Sequence, residues 1–266
     1  MPNEKCPPRI ITLLTDFGLQ DGFVGVMKGV IAGIAPEARV VDISHDIPPQ
    51  NIRSAAFLLG ASYRFFPRQS IHVVVVDPGV GSDRRGLLVC SKEHYFIGPD
   101  NGVLSPILEG ALVLSIENPH YRLKWVSATF HGRDIFAPAA AHLAQGCDLD
   151  GFGPEISDPI RIVFPEPAAT ENGIEGEIVY IDRFGNLVTN LTTSHIFPAM
   201  ETSQGVAVLE DGSEWPLRRT YSEVAAGKPC AVPGGYDRLE LSISMGSAAD
   251  KSGAAIGSRV WLRVRS

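Results

Sequence analysis

Residues 71–76 read Ile-His-Val-Val-Val-Val. A run of four valines with no polar alternation does not suit a sheet with one wet face. It suits a strand buried on both sides, at the centre of a parallel sheet. A covering layer is then needed on each face, and helices supply such layers when strands run parallel. The neighbouring segments fit. Residues 9–15 and 38–43 are short apolar strands. Residues 22–33 have helical spacing, with Phe23, Val26, Val30 and Ile31 on one face. Residues 51–66 place Ile52, Ala55, Ala56, Leu59 and Tyr63 in a stripe for burial. Strands are also predicted at 86–91, 95–97 and 111–116. An alanine-rich helix follows at 134–145, with Pro138 in its first turn, where proline is tolerated.

The pattern changes near Gly151. Pro154, Pro159, Pro165 and Pro167 mark an extended linker. Beyond it lie short β-like segments at 173–181, 187–191, 205–210, 214–219, 238–244 and 258–264, with Asp211-Gly212 as a hairpin turn. The predicted fold class is an α/β N-terminal domain with a mostly parallel sheet, plus an all-β, barrel-like C-terminal domain. The expected boundaries are 1–155 for the first domain, 156–170 for the linker and 171–266 for the second.

Composition narrows the function. The 266 residues carry 23 Lys plus Arg against 30 Asp plus Glu, a net charge of −7. A general nucleic-acid binder would show a basic face instead. No stretch approaches the ~20 apolar residues of a membrane span. The first residues lack the apolar core of a signal peptide, so the expected location is cytoplasmic. Cys6, Cys90, Cys147 and Cys230 are far apart, with no CxxC pair. The expectation is buried, reduced thiols, no structural metal and no resident cofactor.

Ligands of open α/β sheets bind beyond the carboxyl ends of the strands. Three polar segments fall there. Thr15-Asp16-Phe17-Gly18, with Asp21 just after, sets a carboxylate where it can accept bonds from ribose hydroxyls; the plain alternative is a helix cap. At 77–85, Asp77 ends the valine strand, glycines let backbone approach a ligand, and Arg84 is near enough to fold back on Asp77. The plain alternative is a structural ion pair. At 129–134, His131 precedes the alanine-rich helix as base, proton relay or structural donor. A fourth segment, 180–190, concentrates Asp182, Phe184 and Asn186. It reads as a hairpin turn, or as a carboxylate, aromatic platform and amide for a cationic ligand.

Five motifs occur together and in order: TDFG with Gly25-x-x-Lys28-Gly29, DPGVGSDRR from Asp77, GPDNG from Gly98, TFHGRDIFAP from Thr129 and IDRFGNLVTN from Ile181. Over nearly its whole length the chain resembles the S-adenosyl-L-methionine hydroxide adenosyltransferase family, adenosine-forming hydrolases related to fluorinase and chlorinase. The resemblance implies a homotrimer that binds S-adenosylmethionine at subunit interfaces, between one subunit's N-terminal domain and its neighbour's C-terminal domain. It implies a catalytic set of Asp77, Arg84 and His131. It further implies that Asp16 holds the ribose hydroxyls, and that Phe130 and Gly132 sit beside the reacting carbon. Asp182 would meet the methionine ammonium, and Phe184 and Asn186 would line the adenosine. The substrate is then a small molecule, with no nucleic-acid or membrane partner.

The chemistry agrees with that set. Water or hydroxide displaces methionine in line at the ribose 5′ carbon, and the sulfonium leaves as a neutral thioether without protonation. The protein must orient and deprotonate a water. Sequence leaves open whether Asp77 or His131 takes the proton. Rival readings are a halogenase, a non-catalytic S-adenosylmethionine or adenosine binder, and a metal-dependent hydrolase using Asp16, Asp21, Asp77 and His131. Fluorinases resemble this chain but place Tyr and Thr where it has Asp77 and Val80, and a carboxylate there suits water better than halide. One departure stands out. The family pattern Asn-Ser-x-Gly-x-Leu-Glu reads Gly234-Gly235-Tyr236-Asp237-Arg238-Leu239-Glu240. Gly235 replaces the Ser expected at the methionine end, with Tyr236 or Asp237 as substitutes or with weaker binding as the result.

Overall fold

The computed structural model describes residues 9–171, 173–201 and 205–264, so Cys6 lies outside the described residues. The chain divides into two compact units, Met1–Val163 and Phe164–Ser266.

The first unit is built on a six-stranded sheet. Its elements in chain order are β1 (Ile10–Thr15), α1 (Phe23–Ile34), β2 (Arg39–Ser44), α2 (Ile52–Ser62), β3 (Ile71–Val75), β4 (Gly86–Ser91), β5 (His94–Pro99), β6 (Leu112–Ser115) and α3 (Ala137–Ala144). The strand order is β2-β1-β3-β5-β4-β6. The pairs among β2, β1, β3 and β5 are parallel; β4 runs antiparallel to both β5 and β6. The valine strand is central, as its composition demands, and every residue of β3 is buried. Ile71, Val73 and Val75 enter the core shared with α1 and α3. His72 alternates to the other face, against Tyr63 and Phe66, which follow α2.

The predicted face of α1 holds at Ile31 and, half-buried, at Val30, and is corrected at Phe23 and Val26. Val24, Met27 and Ile31 are its buried residues, whereas Phe23 is 44% and Val26 45% exposed. Spacing alone admits either stripe, because both follow helical periodicity. Phe23 instead closes an aromatic cluster with Phe17 and Phe130, at centroid distances of 5.6 and 5.2 Å.

The second unit is an antiparallel sheet of β7 (Ala168–Thr170), β8 (Gly173–Ile181), β9 (Leu187–Thr192), β10 (Gly205–Leu209), β11 (Glu214–Pro216), β12 (Pro229–Pro233), β13 (Arg238–Ile243) and β14 (Arg259–Val264). The order is β11-β10-β14-β8-β9-β13-β12, with β7 also on β8. A bridge between Leu217 and Ala231 brings the two ends together, giving a nearly closed barrel. The strand-only reading missed two short helices, α4 (Thr193–Glu201) and α5 (Ala248–Ser252). Pro198 inside α4 hides its helical signal, and the prolines at both ends of β12 hide that strand.

Candidate active site

In the first unit, Asp16, Asp77, Phe130, His131 and Gly132 line one pocket of about 300 Å³, together with Phe17, Gln50 and Thr129. It lies at the carboxyl ends of β1 and β3, where the topology places ligands.

Asp77 follows the end of β3. The Asn101 amide of the GPDNG motif donates to the Val76 carbonyl at 2.9 Å and so holds that strand end. Arg84 folds back across the glycine loop. Its Nε donates to Asp77 Oδ1 at 2.9 Å and its Nη2 to Asp77 Oδ2, a bidentate fork. Both side chains are buried, 5% exposed for Asp77 and 8% for Arg84. Nη2 also donates to His131 Nδ1 at 2.8 Å. A guanidinium only donates, so Nδ1 accepts and the His131 proton sits on Nε2. Burial, with the Arg84 charge adding to it, lowers the His131 pKa below its ordinary value. Arg84 also packs over the Phe136 ring, 5.3 Å from its centroid.

Two local features hold these loops together. Gly81 has φ +81°, and a Cβ there would collide with the Ala128 carbonyl, so glycine lets the loop after Asp77 pack on the segment that leads to His131. After His131 the chain makes a π-helical turn, Gly132–Phe136, before α3 begins. Such turns are frequent at functional sites. Asp134 in that turn is fully buried. It accepts from the Ser127 N–H at 2.8 Å and pairs with Arg133 at 2.6 Å, which pins the loop carrying Thr129 and Phe130. Arg85, the second arginine of the motif, turns away and joins Asp100 and Asp158.

Asp16 does not cap α1. The cap residue is Gly22, and no side chain caps that helix. Asp16 Oδ2 instead accepts from the Gln50 N–H at 2.8 Å. Gln50 adopts φ 64°, a strained conformation for a non-glycine residue and one that clusters at functional sites. Buried His45 holds the same loop: its Nδ1 lies 2.8 Å from Thr15 Oγ1, and its carbonyl accepts from the Gly18 N–H.

The second unit holds a wider cup of about 840 Å³, lined by Asp182, Phe184 and Asn186 with Tyr221, Tyr236 and Glu240 among others. Asp182 organises the β8–β9 turn. Its Oδ1 accepts from the Phe184 and Asn186 N–H groups, and its Oδ2 from the Asn186 side chain at 2.8 Å. The turn is thus the hairpin, and the same residues line the cup. Phe184 stands 76% exposed at the cup. Asp237 has φ 62°, and its carboxylate accepts from Thr193 at 3.0 Å. It fills a left-handed turn position that suits glycine, and Asp tolerates it. Gly235 and Tyr236 line the cup.

Comparison with known proteins decides the family. Residues 11–153 match the model of the SAM hydroxide adenosyltransferase N-terminal domain, and residues 176–261 match that of its C-terminal domain. The chain belongs to the S-adenosyl-L-methionine hydroxide adenosyltransferase family. It is 39% identical to a protein of Thermus thermophilus named (R)-S-adenosyl-L-methionine hydrolase, over 96% of this chain and 99% of that one. A fluorinase of an Actinoplanes species is more distant, at 28% identity over 72% of this chain and 74% of its own length. An uncharacterised conserved protein of Thermotoga maritima has the same fold, with a TM-score of 0.89 at 33% identity, over 95% of this chain and all of that one.

Within this adenosyltransferase frame, the nine residues singled out from sequence fall into two groups. Asp16, Asp77, Arg84, Phe130, His131 and Gly132 gather in the first unit, and Asp182, Phe184 and Asn186 in the second. Asp21 is not among the residues lining the first pocket. The cation between Asp77 and His131 is the Arg84 guanidinium. Among the described residues, no three His, Cys, Asp or Glu side chains converge as metal ligands would. Sequence reasoning missed Gln50, Tyr221 and Glu240. Gln50 carries no signal beyond following two prolines, and Tyr221 lies in a segment without periodicity. Glu240 stood in the Leu-Glu motif without a role.

Proposed function

We propose that this protein hydrolyses S-adenosyl-L-methionine to adenosine and L-methionine by attack of water at the ribose 5′ carbon. The Asp77–Arg84–His131 arrangement carries the reading. In the reaction a C5′–O bond forms, the C5′–S bond breaks with its electron pair going to sulfur, and one proton is released. Because Nδ1 of neutral His131 is occupied by Arg84 and Nε2 bears the proton, Asp77 is the acceptor for the water's proton. His131 Nε2–H is left to orient the same oxygen. Arg84 holds the Asp77 carboxylate in plane and counters its charge. Methionine leaves as a neutral thioether, so no general acid is required. Positioning of this kind contributes ~7–11 kcal/mol in favourable cases.

Water donates a hydrogen bond to Asp77, whereas a halide has none to give and is repelled. Hydroxide transfer is therefore preferred over halogenation, and turnover over mere binding. We further propose a cytoplasmic homotrimer in which one subunit's Asp77 pocket faces the neighbour's Asp182 cup, and the (R) sulfonium epimer as substrate, the configuration in the Thermus relative's name. The test is chromatography of protein incubated with S-adenosylmethionine, with and without chloride or fluoride. Halide-independent adenosine plus methionine supports the reading. A 5′-halo nucleoside, or saturable binding with no product, refutes it.

A further inference from the structure

Three ionisable side chains beside the TDFG turn have no task in the hydrolase reading, and none of them lines the first pocket. Lys28, of the Gly25-x-x-Lys28-Gly29 motif, lies on α1, Asp42 lies on β2, and His45 follows β2. They form one chain of contacts. Lys28 Nζ donates to Asp42 Oδ2 at 2.6 Å. Asp42 Oδ1 lies 3.1 Å from His45 Nε2, at an angle too bent for a well-formed hydrogen bond. His45 Nδ1 lies 2.8 Å from Thr15 Oγ1, and both residues are buried. Thr15 Oγ1 accepts from the Phe17 N–H at 3.2 Å.

The donors give this chain a direction. An ammonium only donates, so Asp42 accepts from Lys28. With Oγ1 accepting from Phe17, the Thr15 hydroxyl proton is free for His45 Nδ1, and the ring proton stays on Nε2, toward Asp42. Burial raises the Asp42 pKa, but its contacts with Lys28 and His45 outweigh that and hold it below the ordinary value. A fixed anion therefore faces the Nε2 proton, which would be costly to bury alone.

The far end of the chain is the turn that carries Asp16. Thr15 and Phe17 flank Asp16, and the Gly18 N–H donates to the His45 carbonyl at 2.8 Å. His45 thus grips the turn twice, by its ring at Thr15 and by its backbone at Gly18. Asp16 keeps one oxygen on the Gln50 N–H and lines the pocket.

We propose that His45, oriented by the Asp42–Lys28 pair, is a positioning residue that fixes the Asp16 carboxylate for the ribose hydroxyls and, through them, the 5′ carbon. A ribose held in place keeps that carbon in line for attack. The proposal rests on the hydrolase reading for its ligand, and that reading fails separately: wild-type protein that releases no adenosine from S-adenosylmethionine refutes it, whereas nucleoside affinities test His45 in either case.

Calorimetry with adenosine and with 2′,3′-dideoxyadenosine, which lacks both hydroxyls, isolates the ribose. Hydrogen bonds to charged groups predict that His45→Leu weakens adenosine about tenfold and leaves 2′,3′-dideoxyadenosine within about twofold. In protein already carrying Asp16→Asn, His45→Leu changes adenosine affinity by less than about twofold, because residues acting through one another are not additive. Asp42→Asn, at a partly exposed position, shows the same selectivity at about threefold and serves if His45→Leu fails to fold. Equal weakening of both nucleosides, as a merely structural role predicts, overturns the proposal. So does full additivity with Asp16→Asn, an unchanged adenosine affinity, or wild-type protein that does not distinguish the two nucleosides.

Discussion

The two concavities handle negative charge in opposite ways. In the first unit, Asp77 is buried but fully countered by the Arg84 fork, and His131 is held neutral beside them. In the second, Asp182 and Glu240 share a cup that no basic residue lines. Under the proposed function, the difference matches two tasks. A reacting site needs a base whose position and proton are already settled, because any reorganisation adds to the barrier. A binding site for a cation gains from charge left uncountered until the ligand arrives.

The sharpest break in this comparison is Asp77→Asn. Turnover should fall by about 10²–10⁴-fold, with S-adenosylhomocysteine affinity kept within a few-fold. Adenosine release and calorimetry read the two effects. Because the change leaves buried Arg84 without its counter-charge, a melting curve must accompany it. Full activity would remove Asp77 from the chemistry.

Gly234→Ala probes the other concavity. The new Cβ must displace Glu240, so KM for S-adenosylmethionine should rise about tenfold with kcat little changed. Overpacking should also cost about 1–3 kcal/mol of stability by chemical denaturation. An unchanged KM would detach Glu240 from substrate.

A smaller effect is the acid limb of kcat/KM. His131 must stay neutral to accept from Arg84, and its pKa is lowered, so activity should persist below the ordinary histidine value of about 6.5 before falling. A limb above that value would mean a protonated His131 in the working state.

The last effect is on stability and not on activity. Burial pushes His72 down to about 3, and its Nδ1 lies 2.8 Å from Thr12 Oγ1. The unfolded chain takes up a proton near pH 6.5 that the folded state refuses. Stability contributed by neutral His72 is therefore complete above that pH and lost as pH falls toward 3, at a slope of up to roughly 1.4 kcal/mol per unit. His72→Phe should flatten that slope in acid denaturation curves.

How much of this was legible in the sequence differs between the two regions for a physical reason. The valine strand could only be central, and Asp77 and Arg84 lie seven residues apart on one loop, so a local pattern exposes both. The His131 segment is contiguous with its helix. Glu240 is different: its partner Tyr221 is nineteen residues away, joined through the barrel rather than along the chain. The face of α1 was misread in part: Ile31 is buried and Val30 packs against the core as expected, but Phe23 joins Phe17 and Phe130 in an aromatic cluster that only the three-dimensional structure reveals. The left-handed turn at Gln50 follows two prolines, but glutamine is not itself a residue that marks such a position.

The central claim is that water, activated at Asp77, attacks the 5′ carbon. Turnover in ¹⁸O-labelled water, read by mass spectrometry, tests it most directly. The account predicts one ¹⁸O atom in adenosine and none in methionine, with or without halide. Unlabelled or halogenated nucleoside, or methylthioadenosine with labelled homoserine, would contradict it.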